Sequence, residues 1–179
     1  MTRHIALLTL LALGLCAPGC AVRSVYVTPG FDLKDKNEVK RLAVGATPIP
    51  GQPARAAELL ARMALRHVNQ HKDYIAVDDQ VLKAASGWKA LCGDEIHGVV
   101  RVMVARLKSR GGDLTVDMTA DLQRCDSGAL VWKVEIDDTN EQNNEDLKEL
   151  ASVYRREFGQ VADALAAPFF VLLKQAFDS

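Results

Sequence analysis

From His97 to Asp137 the chain alternates as strands do, and this stretch restricts the fold more than any other. His97 to Leu107 is apolar on both alternating faces, with Val100, Val102 and Val104 on one and Val99, Met103, Ala105 and Leu107 on the other. Such a run predicts a central strand covered from both sides. Leu114, Val116, Met118, Ala120 and Leu122 then alternate with Thr115, Asp117, Thr119, Asp121 and Gln123. Leu130, Trp132, Val134 and Ile136 alternate in the same way with Val131, Lys133, Glu135 and Asp137. Each of these two strands has one packed and one wet face. A three-residue loop, Asp126-Ser127-Gly128 with Gly128 left-handed, would set Cys125 against Ala129, Leu122 against Trp132, Ala120 against Val134 and Asp121 against Lys133. The first turn, Gly111-Gly112, leaves its register open. A two-residue loop pairs Asp117 with Arg106 and Cys125 with Gly98, but sets Val104 against Thr119.

The flanks supply the cover. Arg41 to Thr47 reads as a short strand stopped by Pro48, Pro50, Gly51 and Pro53. Residues 54–72 switch to helical spacing, with Leu59, Leu60, Met63, Ala64, His67 and Val68 on one stripe and Arg55, Arg62 and Arg66 off it. Tyr74 to Val77 reads as a strand, and Asp79 to Ala85 as a short helix capped by Asp78 or Asp79. After a polar linker, Thr139 to Asp146, a stripe from Leu147 through Tyr154, Phe158, Leu165, Phe169 and Leu172 to Ala176 predicts one long helix, kinked at Pro168. This order predicts an α/β fold, a two-layer sandwich with a mixed sheet whose C-terminal three-stranded meander is covered by helices. The apolar residues of the last helix either cover the sheet or dock a partner, and the unbroken stripe favours the sheet.

The first nineteen residues have a separate purpose. Arg3 and His4 precede an apolar run from Ile5 to Leu15, and Ala17-Pro18-Gly19 is a small-residue approach to Cys20. That layout is a secretory signal, too short for a spanning helix. Without it the chain has 160 residues, enough for one core, and has lost one of 22 basic residues and none of 23 acidic ones, leaving a formal charge of −2. No broad basic field is available for nucleic acid. Cys92 and Cys125, 33 residues apart, are then the thiols left in the folded part, and in an oxidising compartment they are expected to form a disulfide.

A signal ending in small residues before a Cys resembles the lipobox of bacterial lipoproteins, although Ala17 stands where that family usually has Leu. The resemblance implies cleavage before Cys20, acylation there (palmitate included), and anchoring in a bilayer. Cys16 competes as the modified residue, but follows the bulky Leu15. Ala21, where that family's sorting rule would need Asp for inner-membrane retention, implies the outer membrane, facing the periplasm. The expected organisation is a signal peptide at 1–19, a lipidated tether at 20–40 with a short strand at Val25 to Val27, and a single periplasmic domain at 41–179. The element order resembles the periplasmic domains of the curli-secretion channel lipoprotein, the penicillin-binding-protein activator lipoproteins and the amino-terminal domain of the Tol translocation protein. The segments VTPGF, RLAV and FGQVADALAAPFFVLLKQAF look like those of a family of uncharacterised myxococcal-type lipoproteins, a resemblance that brings no activity with it.

Candidate reactive groups are sparse. His67 and His71 stand four apart on a helix, a spacing that can hold zinc, with His97 near Cys92 as a conceivable extension. Yet Val68-Asn69-Gln70 between them offers no general base, and no metal or other cofactor is expected. The acidic pairs Asp78-Asp79, Asp94-Glu95 and Asp137-Asp138 could serve a cell-wall hydrolase, but caps and turns explain them with less. The leading expectation is a non-catalytic, lipid-anchored protein that binds or regulates an envelope protein complex or self-associates. The alternative is a periplasmic metal-dependent or acid/base hydrolase.

Overall fold

The structure, a computed structural model, describes residues 22–29, 35–70, 73–110, 113–141 and 145–178. In chain order these form β1 (Val22–Val27), α1 (Asp35–Glu38), β2 (Arg41–Ala46), α2 (Ala54–Val68) and β3 (Ile75–Val81). A 3₁₀ helix (Ala85–Leu91) follows, then β4 (Gly98–Arg110), β5 (Asp113–Arg124), β6 (Leu130–Glu141), α3 (Glu145–Phe158) and α4 (Gln160–Phe177). The six strands make one sheet in the order β1-β6-β5-β4-β2-β3. β2 runs parallel to β3 and β4, the meander strands are antiparallel to one another, and β1 is antiparallel to β6. The two-layer mixed α/β sandwich is therefore the observed architecture.

α2 and α4 cover one face, and α3 packs on α4. Leu42, Val44 and Ala46 of β2, Val100, Val102 and Val104 of β4, and Val116, Met118, Ala120 and Leu122 of β5 point into this layer. Leu59, Leu60, Phe169 and Leu172 close it from the helices, each under 1% exposed. Burying a side chain of this size contributes about 1.5–3 kcal/mol. The C-terminal stripe thus covers its own sheet rather than docking elsewhere.

Both hairpin registers are settled by β-bulges. β4 and β5 begin pairing at Arg110 and Asp113 and set Arg106 opposite Asp117, yet a bulge at Ala105 brings Val104 opposite Met118. One extra residue lets charged and apolar partners both match. The shift also places Arg124, not Cys125, opposite Gly98. In the second hairpin the expected pairs Leu122–Trp132, Ala120–Val134 and Asp121–Lys133 are present. The loop, however, closes one residue earlier, with the Arg124 N–H donating to the Ala129 carbonyl at 2.9 Å. A bulge at Val131 absorbs the difference and turns that side chain inward, to 1% exposure. Gly128 is left-handed as expected, at φ 71°.

The short strand expected at Val25 to Val27 is present and begins earlier, since Val22–Val27 pairs with β6. Three expectations need correction. Asp79 to Val81 is not helical, because parallel pairing with β2 continues to Val81 and the Asp79 carboxylate accepts from Arg62 at 2.9 Å instead of capping a helix. Residues 139–141 extend β6 rather than forming a linker. The last helix is two helices, broken at Gly159 (φ 57°, ψ −137°) and continuous through Pro168. The Gly159 N–H donates to the Arg155 carbonyl at 2.8 Å, which satisfies the end of α3.

A Cβ at Gly159 would meet nothing within 4 Å, so only backbone strain opposes substitution. Gly159→Ala should therefore lower stability by about 1–3 kcal/mol, whereas Pro168→Ala should not lower it. Urea unfolding midpoints of the two variants check this.

Candidate functional site

The face opposite the helices carries a second, smaller core. Ala43, Leu82, Trp88, Leu91 and Val99 pack there, joined by Cys92, Ile96 and Cys125. The 3₁₀ helix supplies Trp88 and Leu91 and ends at Cys92, which is bonded to Cys125 with the Cα atoms 5.5 Å apart. The expected disulfide is thus present, and it ties the segment after the 3₁₀ helix to the β5–β6 loop. His97 joins the same end: its Nδ1 accepts the Lys40 N–H at 3.1 Å, and its carbonyl accepts the Cys125 N–H at 2.9 Å. The Asp126 carboxylate accepts from Arg124 and from Ser127, and both hold it well below the ordinary carboxylate range, Arg124 most.

Beside this core lies an ion pair that the sequence reading missed. Arg101 donates through Nε and an Nη to the two oxygens of Asp121 at 2.7 and 2.6 Å, and through its other Nη to the Ala85 carbonyl at 2.9 Å. Asp121 is 2% exposed. Lys133, its expected partner, pairs with Glu135 instead. Arg101 sits directly opposite Asp121 across β4 and β5, so a basic residue inside an apolar strand was the available signal.

The other candidates are scattered and engaged. His67 packs on Phe177, ring centroids 5.2 Å apart, with Nε2 4.0 Å from the Asp178 carboxylate. His71, Cys16 and Cys20 lie outside the described residues. Cys92 is in the disulfide, so His97 extends no site with it. In the acidic pairs, Asp79 holds Arg62 (which Glu157 of α3 also holds), Glu95 holds Arg41, and Asp137 holds Arg106. The hydrogen bond to Asp79 is the main reason the Arg62 guanidinium is held still more firmly protonated. Among the described residues no three of His, Cys, Asp and Glu gather as a metal site.

The two sheet edges are different in kind. Of seven large apolar side chains exposed among the described residues, six are on edge strands. Val25, Tyr26 and Val27 lie on β1, and Ile75, Val77 and Val81 on β3. An edge strand carrying apolar side chains is an adhesive surface unless something covers it. β1 is fixed to β6 by pairing and by Ser24, whose hydroxyl donates to Glu135 at 2.9 Å. Lys133 and Ser24 together hold that carboxyl below its usual range, Lys133 most.

No protein-family model matches the chain, and no curated protein matches it. Among solved structures it is similar to the PelC dodecamer from Paraburkholderia phytofirmans, at 16% identity over 84% of this chain and 94% of that one, with a TM-score of 0.48. It is also similar to the lipoprotein GNA1162 from Neisseria meningitidis, at 15% identity over 69% of this chain and 99% of that one, with a TM-score of 0.40. These are partial likenesses of shape and assign no function.

Asp121→Ala would strand Arg101 in a closed site and should cost about 3–5 kcal/mol. The double variant Arg101→Met with Asp121→Leu should cost clearly less than Asp121→Ala alone. Chemical denaturation of the three proteins reads the difference directly.

Proposed function

We propose that this chain is a lipid-anchored, non-catalytic protein of the bacterial envelope. In this reading it is exported by residues 1–19, acylated at Cys20 and held at the periplasmic face of the outer membrane, where it binds or regulates a protein complex. The observation that carries it is the export signal ending Ala17-Pro18-Gly19 immediately before Cys20. The Cys92–Cys125 disulfide supports it, because such bonds persist in oxidising compartments such as the periplasm. Engagement of Asp79, Glu95 and Asp137 in ion pairs supports a binding role over hydrolysis.

The partner surface in this reading is β3. It is the sheet edge opposite β1 and presents Ile75, Val77 and Val81 to a partner, while the Asn69 side chain already bonds the Ala76 N–H and carbonyl, at 2.8 and 3.0 Å. Asp78 at this edge favours a basic or neutral partner.

Cys20→Ser should move the protein out of the membrane fraction or leave it unprocessed, while Val77→Asp should keep it in the membrane but remove the co-purifying partner. Fractionation and affinity purification from detergent-solubilised envelope test both. Wild-type levels of mature, membrane-bound Cys20→Ser protein would contradict the anchor.

A further inference from the structure

We infer that the β1 edge is a bilayer-contacting surface: the domain lies edge-down on the membrane, with Val25, Tyr26 and Val27 in the interfacial layer. This rests on acylation of Cys20 and goes beyond it.

The argument is one of reach. β1 begins at Val22, two residues after Cys20, so even a fully extended link spans at most about 7 Å. Val22 pairs with Ile136, Ile136 with Met118, and Met118 with Val104. Beyond that row β6 continues to Glu141, β4 to Arg110, and β5 reaches back to Asp113. Five further residues in β5 and β6, and six in β4 with its bulge at Ala105, amount to about 17 Å. The meander therefore projects past the start of β1 by more than twice what the link can span.

With its strands upright, the domain would push the end of this meander below the level of the anchored Cys20. That end carries Lys108, Arg110, Asp113 and Glu141, and charged side chains resist transfer into hydrocarbon. The sheet must instead tip over, and the edge nearest the anchor is β1. That edge suits the interface. Val25, Tyr26 and Val27 are 46%, 46% and 50% exposed, and a tyrosine with its hydroxyl among headgroups is a favoured interfacial residue. Arg23 on the same strand is exposed, a cation of the kind that suits lipid phosphates, and interfacial water and headgroups would satisfy the outer backbone row of the strand. The bilayer would then cover an edge that would otherwise recruit other strands.

The test uses the full chain, exported, processed and reconstituted into vesicles of phosphatidylethanolamine and phosphatidylglycerol. Photoreactive benzoylphenylalanine replaces Tyr26 in one variant and Val77 in another. Both positions are exposed, so folding should survive, and circular dichroism confirms it. β3 lies five inter-strand steps from β1, about 24 Å, well beyond the roughly 5–10 Å an interfacial element buries. Phospholipid adducts should therefore be at least about tenfold more abundant at position 26 than at position 77. Mass spectrometry of the N-terminal peptide reports acylation of Cys20 in the same samples. An acylated Cys20 with equal lipid labelling at the two positions, or with position 26 joined to a second copy of the chain, would overturn the orientation alone. A Cys20 without acyl groups would overturn the anchor and the orientation together.

Discussion

Everything in this fold depends on covering β4 from both sides. It lies between β5 and β2, sends Val100, Val102 and Val104 into the helical layer, and points Val99 and Arg101 the other way. The helical side is ordinary: α2 and α4 bury a continuous apolar layer against it. Among the described residues the other side has no long helix. Its cover is the segment between β3 and β4, which must cross behind β2 to reach its strand, and which contributes Leu82, Trp88 and Leu91 on the way. Gly45 admits that crossing, since a Cβ there would sit 2.6 Å from Leu82. A short 3₁₀ helix cannot hold itself in place, so two clamps act on it. The disulfide, with its 33-residue separation, contributes about 3–4 kcal/mol by constraining the unfolded chain. Arg101 joins Asp121 to the Ala85 carbonyl at the other end of the segment.

The meander was readable in the sequence because alternation reports directly on a half-buried sheet. Its two bulges were not, because each conserves the pattern on either side and shows only as a conflict, such as Val104 facing Thr119. The conflict was itself the signal: a single inserted residue at Ala105 reconciles it. The division of the last helix was hidden for a related reason. Gly159 interrupts the hydrogen-bond ladder, but Phe158 and Leu165 keep their phase, so the stripe reads straight through. Asp78 and Asp79 misled because acidic residues ahead of a helix-like run look like caps, while here a strand edge and Arg62 use them. Cys92 and Cys125 were legible as a pair from compartment and arithmetic. Arg101 was not, since its partner depends on the register of the hairpin left open.

The functional consequence lies in the edges rather than in a cleft. One edge begins two residues from the lipid-bearing position of the proposed anchor, and the other faces away across the full width of the sheet. Apolar side chains on both give the domain two adhesive borders and a fixed distance between them. Under the proposed anchor, a sheet so arranged would hold a bound partner at a set height above the membrane.

Neutron reflectometry of the acylated protein on a supported bilayer measures that arrangement most directly. Edge-down anchoring requires protein density to begin within about 7 Å of the headgroups, the reach of two residues. A hydrated gap of some tens of ångströms between headgroups and protein, as a flexible tether over residues 20–40 would produce, would contradict it.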